Sequence, residues 1–587
     1  MGESFIRISV LLWADILVGF ALFVMQNYLT DVWKLSFTHA AGILNIWNGI
    51  NMILPVFFLF LVDVVLGNFG MLLISSIAYS LGIGFVAMST PPVLANSTGT
   101  CKEYEPKCIG HTQKTLFYTG MALIVVGMAG NLVSVRPFLE EQKKPSEDGD
   151  LDEQNPPSGN GDIDEQKKQA ERDRARKASS PLRDFLKLPT FTVMVIIPIA
   201  GAIALPYINP WTLRFGIPAI CTAVATFLFL TGLCWLPYEK REPRGSPITN
   251  IFRVFVASVS KICQSYPRNA NLYLKDDQGP QSFRQTRFLR CLEKAAITKD
   301  GTTKEEQQQA RTRWRLCSIS EVEEAKIAVR MIPMWLTFII CGIVSSFGNT
   351  YFVEQANHLD RHIGKWNVPI QALLLFSQWS KSLLSTAASC LVKKHTTYGP
   401  AFGIGTAMVF SILCCITAAR TEQRRLHTIG KHNLWDKPED DIPMSIYWLL
   451  FQFFLLAGLD SYFEKSVKAF YDYQSPDSMK PYLMYLSKAV FGLGFIFNVL
   501  SVYVVGKISE KGGKRNWFQF SLNNSRLDRY YWVLATLSAV NLLVFAVVAC
   551  CYRYKNLEAG SDEGGDVEID AVPSGEAEEK QYCSFCC

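Results

Sequence analysis

Asp15 stands in the stretch "LLWADILVGFAL" (Leu11–Leu22) and is the only acid in an apolar run from Ile8 to Leu29. An ionised side chain at the middle of a bilayer costs about 2.5–3.5 kcal/mol on insertion scales. A carboxylate kept there has two readings. It is structural, hydrogen-bonded to neighbours such as Asn45 or Asn48, or it takes up and releases a proton in a cavity. Its position about two turns into the run places it toward one mouth of the span. Asn45, Asn48 and Asn51 recur every three residues, so their amides share one helical face. Amides with donors and acceptors suit a polar solute, and equally suit hydrogen bonds between helices. Ser345, Ser346 and Asn349 close another apolar run, where small hydroxyls line a cavity or let helices approach. Asp460, Ser461, Glu464, Lys465 and Lys468 interrupt a third run. Asp460, Glu464 and Lys468 are four apart on one face, a spacing that allows an intrahelical ion pair. Lys465, Lys468 and Lys488 alternatively snorkel to the interface.

The elements that carry these residues are membrane spans. The chain has 587 residues, 49% of them hydrophobic, and the total is ordinary; the distribution is not. Twelve apolar runs recur, most of them long enough to cross roughly 30 Å of hydrocarbon. They are Ile8–Leu29, Ala40–Val62, Met71–Met88, Leu116–Val135, Phe191–Tyr207, Trp211–Leu236, Ile327–Phe347, Pro369–Val392, Phe402–Ala419, Met444–Ser466, Leu483–Val505 and Tyr530–Tyr552. The first is too long for the apolar core of a signal peptide and lacks a small-residue cleavage site, so it is expected to stay.

The runs divide six and six. Residues 1–236 form the first set, with a charged insert at 140–180 of disorder-like composition. Residues 237–326 form a basic central loop, 327–554 the second set, and 555–587 an acidic, Cys-ending tail. Both long loops fall on one side of an alternating threading, and their Lys and Arg place that side and both termini in the cytoplasm. The basic stretch "GKISEKGGKR" in the loop Gly506–Arg529 opposes that assignment. The sequons at Asn96 and Asn523 fall on the outer side, which makes Asn96 a glycosylation candidate. Cys101 and Cys108 share its loop, where a disulfide is compatible with an exterior location. The tail ends "YCSFCC" without a CaaX box, so Cys583, Cys586 and Cys587 are candidates for S-acylation.

Other classes of function lack residues. The net charge of +6 is modest and its basic residues concentrate in two long loops, which reads as topology rather than nucleic-acid binding. No P-loop, HExxH or GxSxG motif occurs, and the 7 histidines show no metal-ligand spacing. An enzyme, a resident metal and a cofactor are not expected. The fold expected is all-α and polytopic, twelve transmembrane helices in two six-helix bundles, the outline of the major facilitator fold, although hydropathy, charge and spacing equally allow other twelve-span carriers.

Five stretches, in order along nearly the whole chain, carry a resemblance. They are "LVDVVLGN" (Leu61–Asn68), "RGSPITNIFRVFVASVSK" (Arg244–Lys261), "MIPMWLTFII" with "NTYFVEQA" (Met331–Ala356), "FYDYQSPDSMK" (Phe470–Lys480) and "SLNNSRLDRYYWVLA" (Ser521–Ala535). Together they resemble the plant nitrate/peptide transporter family, the plant branch of the proton-dependent oligopeptide transporters. The resemblance implies alternating access around a central cavity, a small solute such as nitrate or a short peptide, and in many members protons as co-substrate. It does not fix the oligomeric state, or decide between the plasma membrane and the vacuolar membrane.

The family's E-x-x-E-R motif in the first span is degenerate here. Asp15 keeps one acid, Val18 stands at the second, and Gly19 stands at the arginine. The lysine usual in span four aligns with Leu132. The nitrate-holding histidine of span seven aligns with Ser345, and a phosphorylated threonine aligns with Met71. Asp63 lies in the family's D-x-x-L-G-R-Y turn, which implies a gate role, but the arginine is Asn68. Asp460 aligns with the family's acid in span ten. The pathway candidates are therefore Asp15, Asn45, Asn48, Ser345, Asn349 and Asp460, with proton coupling left open. A receptor-like or regulatory membrane protein that no longer transports is the alternative that the lost charges motivate.

Overall fold

Apolar runs of this length become helices because a backbone without water must close its hydrogen bonds on itself. The computed structural model describes residues 2–142, 210–235, 245–263, 289–298, 304–363, 365–394, 398–435 and 440–552, with isolated positions between them. Eleven helices of 22 residues or more run through the described chain. Before the central loop these are α1 (Gly2–Phe23), extended by α2 (Met25–Asp31), then α3 (Phe37–Leu61), α4 (Gly67–Met88), α6 (His111–Glu141) and α7 (Trp211–Trp235), with the short α5 (Pro91–Thr98) between α4 and α6. The run expected at Phe191–Tyr207 lies outside the described residues, as do the 555–587 tail and nearly all of the 140–180 insert.

After α8 (Pro247–Ser260) and α9 (Lys304–Thr312) in the central loop, the chain forms α10 (Ile319–Ser345), the short α11 (Tyr351–Asn357), α12 (Gln371–Lys394), α13 (Gly399–Lys431), α14 (Tyr447–Gln474), α15 (Lys480–Ser509) and α16 (Leu527–Cys551). Eight stretches, one of them the joined α3–α4, are long and apolar enough to cross a membrane on composition alone. Helices α12 and α14 do not meet that measure, and they carry the charged residues discussed below. Apolar side chains such as Phe57, Ile220, Phe227, Phe402 and Leu543 stay exposed on the outer faces, as lipid-facing residues do. The fold is an all-α polytopic membrane fold.

Local sequence sets the helix ends. Ser318 and Glu321 form a reciprocal capping box at the start of α10. Ser36 accepts from His39 N at the start of α3. Between α3 and α4, Val62–Leu66 makes a π-helical turn that ends at Gly67 (φ +64°).

Cys101 and Cys108 are joined by a disulfide in the connection between α5 and α6. The same end of the bundle holds β1 (Leu359–Asp360), paired in parallel with β4 (Ile442–Ser445), and the hairpin of β2 (His362–Ile363) with β3 (Trp366–Asn367). The opposite end carries Asp63 and the central loop. There α8 packs Val254 and Ala257 against Leu292, Ala295 and Val322. Lys261 donates to the carbonyls of Ala295 (3.2 Å) and Ile297 (2.7 Å), and burial lowers its pKa to about 8.

Glycines let α10, α15 and α3 stack backbone to backbone. A Cβ at Gly342 of α10 falls 2.0 Å from Phe491 O, and one at Gly494 of α15 falls 2.2 Å from Ile339 O. On the other side of α15, a Cβ at Gly492 meets Gly49 O of α3 at 2.9 Å. No side-chain rearrangement relieves a clash with a carbonyl oxygen. Gly342→Val is expected to destabilise the fold by about 3 kcal/mol or more. Its measured thermal unfolding in detergent should fall well below that of Gly405→Val, because a Cβ at Gly405 meets only the ring edge of Phe545 at 3.8 Å.

Candidate functional site

Asp15 sits thirteen residues into α1, because the helix begins at Gly2 rather than at the start of the apolar run. That is about 20 Å along the helix axis. Its partner is neither Asn45 nor Asn48. Tyr79 of α4 donates its hydroxyl to Asp15 Oδ1 at 2.5 Å, and among the described residues no ion pair reaches the carboxylate. Asn45 is 1% exposed, and neither its Oδ1 nor its Nδ2 has a hydrogen-bond partner among the described residues. A buried amide left unsatisfied costs about 1–3 kcal/mol, so Asn45 is the polar group of α3 with most to gain from a solute or water. Asn48 is half-buried on the same helix. Trp47, offset from both, donates to Met121 O of α6 at 2.8 Å.

The helices after the central loop carry a denser cluster. Lys381, near the middle of α12, pairs with Asp460, near the middle of α14, at 2.6 Å. Ser345 of α10 donates to the other carboxylate oxygen at 2.7 Å. Three helices thus converge on one carboxylate. The side chains are 36% and 21% exposed, so the pair faces open space rather than being sealed. Glu464 does not pair with Lys468; it meets Lys488 of α15 at 3.2 Å. Asn349 is exposed in the turn after α10. The adjacent Ser346 belongs to a separate network, accepting from Asn498 (2.8 Å), which in turn accepts from Tyr530 (2.9 Å).

Helices before and after the central loop touch at both ends. At one, Tyr482 of α15 donates to Asp63 Oδ2 at 2.5 Å, and Tyr485 donates to Leu132 O at 3.1 Å. The start of α8 joins this contact: Gly245 N donates to Asp63 O (2.9 Å) and Ser246 Oγ to Tyr482 Oη (2.7 Å). Asn68 takes no part; it donates to Glu141 at 2.7 Å. At the disulfide end, Glu354 of α11 accepts from Thr30 (3.2 Å) and Gln26 (3.5 Å), and Asn357 donates to Asp31 at 3.3 Å.

Asn96 is exposed on α5. Asn523, in contrast, is 2% exposed. It accepts from Arg425 at 2.9 Å and donates to Leu434 O at 3.3 Å, so its sequon is occupied by the fold. Cys583, Cys586 and Cys587 lie outside the described residues. Among the described residues no group of three His, Cys, Asp or Glu side chains could hold a metal. Two partners were missed in the sequence, Lys381 and Tyr79. A lysine eleven residues into a run beginning at residue 371 is too deep to snorkel easily, and that depth was the available signal. Nothing marked Tyr79.

Residues 69–518 match the family model described as "POT family". The chain belongs to the POT family. It is 35% identical over 578 residues to Protein NRT1/PTR FAMILY 5.5 of Arabidopsis thaliana, covering 96% of this chain and 99% of that one. It is 29% identical to Protein NRT1/PTR FAMILY 8.1 of the same plant, covering 90% of each. Among solved structures it resembles the POT family transporter PepTSo, with TM-score 0.56, 15% identity, and coverage of 92% of this chain and 97% of that one. An auto-inhibited POT family peptide transporter superposes with TM-score 0.55 at 16% identity, covering 94% and 98%. At those identities the structures speak for the fold alone. The POT family consists of transporters, so this chain is a membrane transporter and not an enzyme.

Lys381→Met leaves Asp460 with only a hydroxyl partner. Breaking a sealed pair costs about 3–5 kcal/mol, and partial exposure reduces the expected loss here to about 2 kcal/mol. Thermal unfolding should drop for Lys381→Met and recover most of the difference in Lys381→Met/Asp460→Asn. An equal or larger drop in the double variant would show that the two residues act separately.

Proposed function

We propose that the protein is a secondary transporter that moves a small nitrogenous solute by alternating access, nitrate first and short peptides second. The observation that carries this reading is the Lys381–Asp460–Ser345 cluster, an ion pair held at mid-helix by three helices and still accessible. A lysine ammonium is a compact charge with three donors, of which Asp460 takes one, so the others remain for an anion. The cluster therefore stands in for the imidazole that the family's nitrate carrier uses in span seven, with Ser345 at the aligned position and Lys381 supplying the charge from another helix. Asn45 and Asn48 contribute amides from α3, and Asp15 contributes a carboxylate whose partner is a neutral hydroxyl. Asp63 with Tyr482, and Glu354 with Thr30, supply contacts that must break in turn for each end to open.

Proton coupling rests on Asp15 and Asp460, since Val18, Gly19 and Leu132 carry no charge. The central loop, both termini and Asp63 face the cytoplasm in this reading, and the disulfide end faces the exterior or a lumen, in the plasma membrane or the vacuolar membrane. Residues 1–236 and 327–554 act as the two moving bundles.

Labelled nitrate and dipeptide uptake in oocytes, at about pH 5.5 and about pH 7.5, tests the reading. Uptake of one of them is expected to rise at the lower pH and to lose that rise in Asp15→Asn, with surface expression matched. Absence of flux for both solutes across that range would overturn the assignment of substrate class. Sidedness has its own check. Glycosidase treatment should shift the mobility of the wild type and not of Asn96→Gln, while Asn523→Gln behaves as wild type. A shift that persists in Asn96→Gln would contradict the placement of that loop.

A further inference from the structure

A cleft of about 340 Å³ opens at the disulfide end, between the helices before the central loop and those after it. That volume lies in the range of small-solute sites. Asn27 and Asp31 of α2 and Trp211 and Arg214 of α7 line one wall; Arg361, between β1 and β2, and Gln371, at the start of α12, line the other. The Arg214 guanidinium lies 4.4 Å from the Trp211 ring centroid, and its Nε donates to Ile208 O at 3.3 Å. Arg361 makes no side-chain hydrogen bond or ion pair among the described residues, although its carbonyl is fixed by Val368 N at 3.0 Å. Asn27 is 3% exposed, and its Oδ1 has no hydrogen-bond partner among the described residues.

A single arginine at a protein surface is ordinarily solvated and needs no ligand. Here two guanidiniums and an unsatisfied buried amide converge on one concave space. Among the described lining residues two cations, Arg214 and Arg361, face one acid, Asp31. The planar guanidinium fork matches a planar oxyanion, bidentate and charge-assisted, better than it matches a spherical anion. Asp31 and Asn27 Oδ1 are acceptors, and they suit the ammonium of a solute that carries one.

We propose that this cleft is a binding site for a planar oxyanion group, either nitrate or the carboxylate of a short peptide, distinct from the Lys381–Asp460 cluster. It rests on the reading of the chain as a carrier of small nitrogenous solutes and places a first capture step at the disulfide end. Because the walls belong to opposite sides of the central loop, a solute bridging Arg214 and Arg361 also holds that end closed.

The test is thermal stabilisation of the purified full chain in lipid nanodiscs, titrated at constant ionic strength with sodium nitrate, sodium acetate, alanylalanine and, as control, sodium chloride. A ligand that binds only the folded state raises stability with its concentration. Saturable stabilisation by nitrate or acetate is expected, with half-saturation moved about tenfold upward in Arg361→Gln and unmoved in Arg424→Gln, which removes an exposed charge stacked on Trp448. Asp31→Asn should weaken alanylalanine and spare nitrate, which separates the two sources of the oxyanion. An equal response to chloride, an unmoved half-saturation in Arg361→Gln, or an equal shift in Arg424→Gln would overturn the site. The readout needs no transport. Binding without flux would sink the transport reading and keep the cleft, and flux with no effect of Arg361→Gln on binding would do the reverse.

Discussion

A polar group inside this bundle has to find its partner in the protein, because the surrounding hydrocarbon offers none. That constraint explains where the helices converge. Asp460 draws α10, α12 and α14 together through Ser345 and Lys381. Glu422 and Arg425, both buried, form a bidentate pair on α13 that also engages Gln355 of α11 and Asn523 of the loop before α16. Gln452 of α14 completes that network by donating to Gln355 at 3.1 Å. Before the central loop, Asp15 ties α1 to α4 through Tyr79. Apart from the Glu422–Arg425 pair, which lies within α13, these contacts join residues far apart in sequence and fasten together elements whose apolar faces would otherwise slide.

Helix α15 links the two sides of the central loop. Its glycines admit α10 on one face and α3 on the other, with carbonyl oxygens closer than a methyl group would permit. Close backbone approach favours dispersion where hydrophobicity offers no gain between helices in lipid. The same helix presents Tyr482 to Asp63, Tyr485 to Leu132 and Lys488 to Glu464. A displacement of α15 therefore changes the Asp63 contact and the packing on α3 together. The central loop enters the same junction through Gly245 and Ser246, so the long connection between the two sets of helices is held against their interface.

Hydropathy made the helices legible, since a run of about 20 apolar residues has few alternatives to a helix. Charge was harder to read. Asp15 and Asp460 stood out as acids in apolar runs, but a carboxylate does not announce its partner. Tyr79 lies 64 residues from Asp15, and Lys381 lies 79 residues from Asp460, in a run whose serines and lysines resemble an interfacial segment. Intrahelical spacing suggested Glu464 with Lys468, and tertiary packing supplied Lys488 instead. Sequons are equally local: the two at Asn96 and Asn523 look alike in sequence, and only the fold shows that one side chain is exposed and the other is hydrogen-bonded in the interior.

The two carboxylates at depth are chemically unequal, and the inequality follows from the residues around them. Among the described residues Asp15 has no cation as partner and is met by the Tyr79 hydroxyl. Asp460 is held by the Lys381 ammonium as well as by the Ser345 hydroxyl. The bundle thus holds one acid met by a neutral hydroxyl and one met by a cation. The two lie on opposite sides of the central loop. A ligand shifts an equilibrium only through contacts that differ between its states, and a movement that separates α1 from α4, or α12 from α14, breaks one of these contacts.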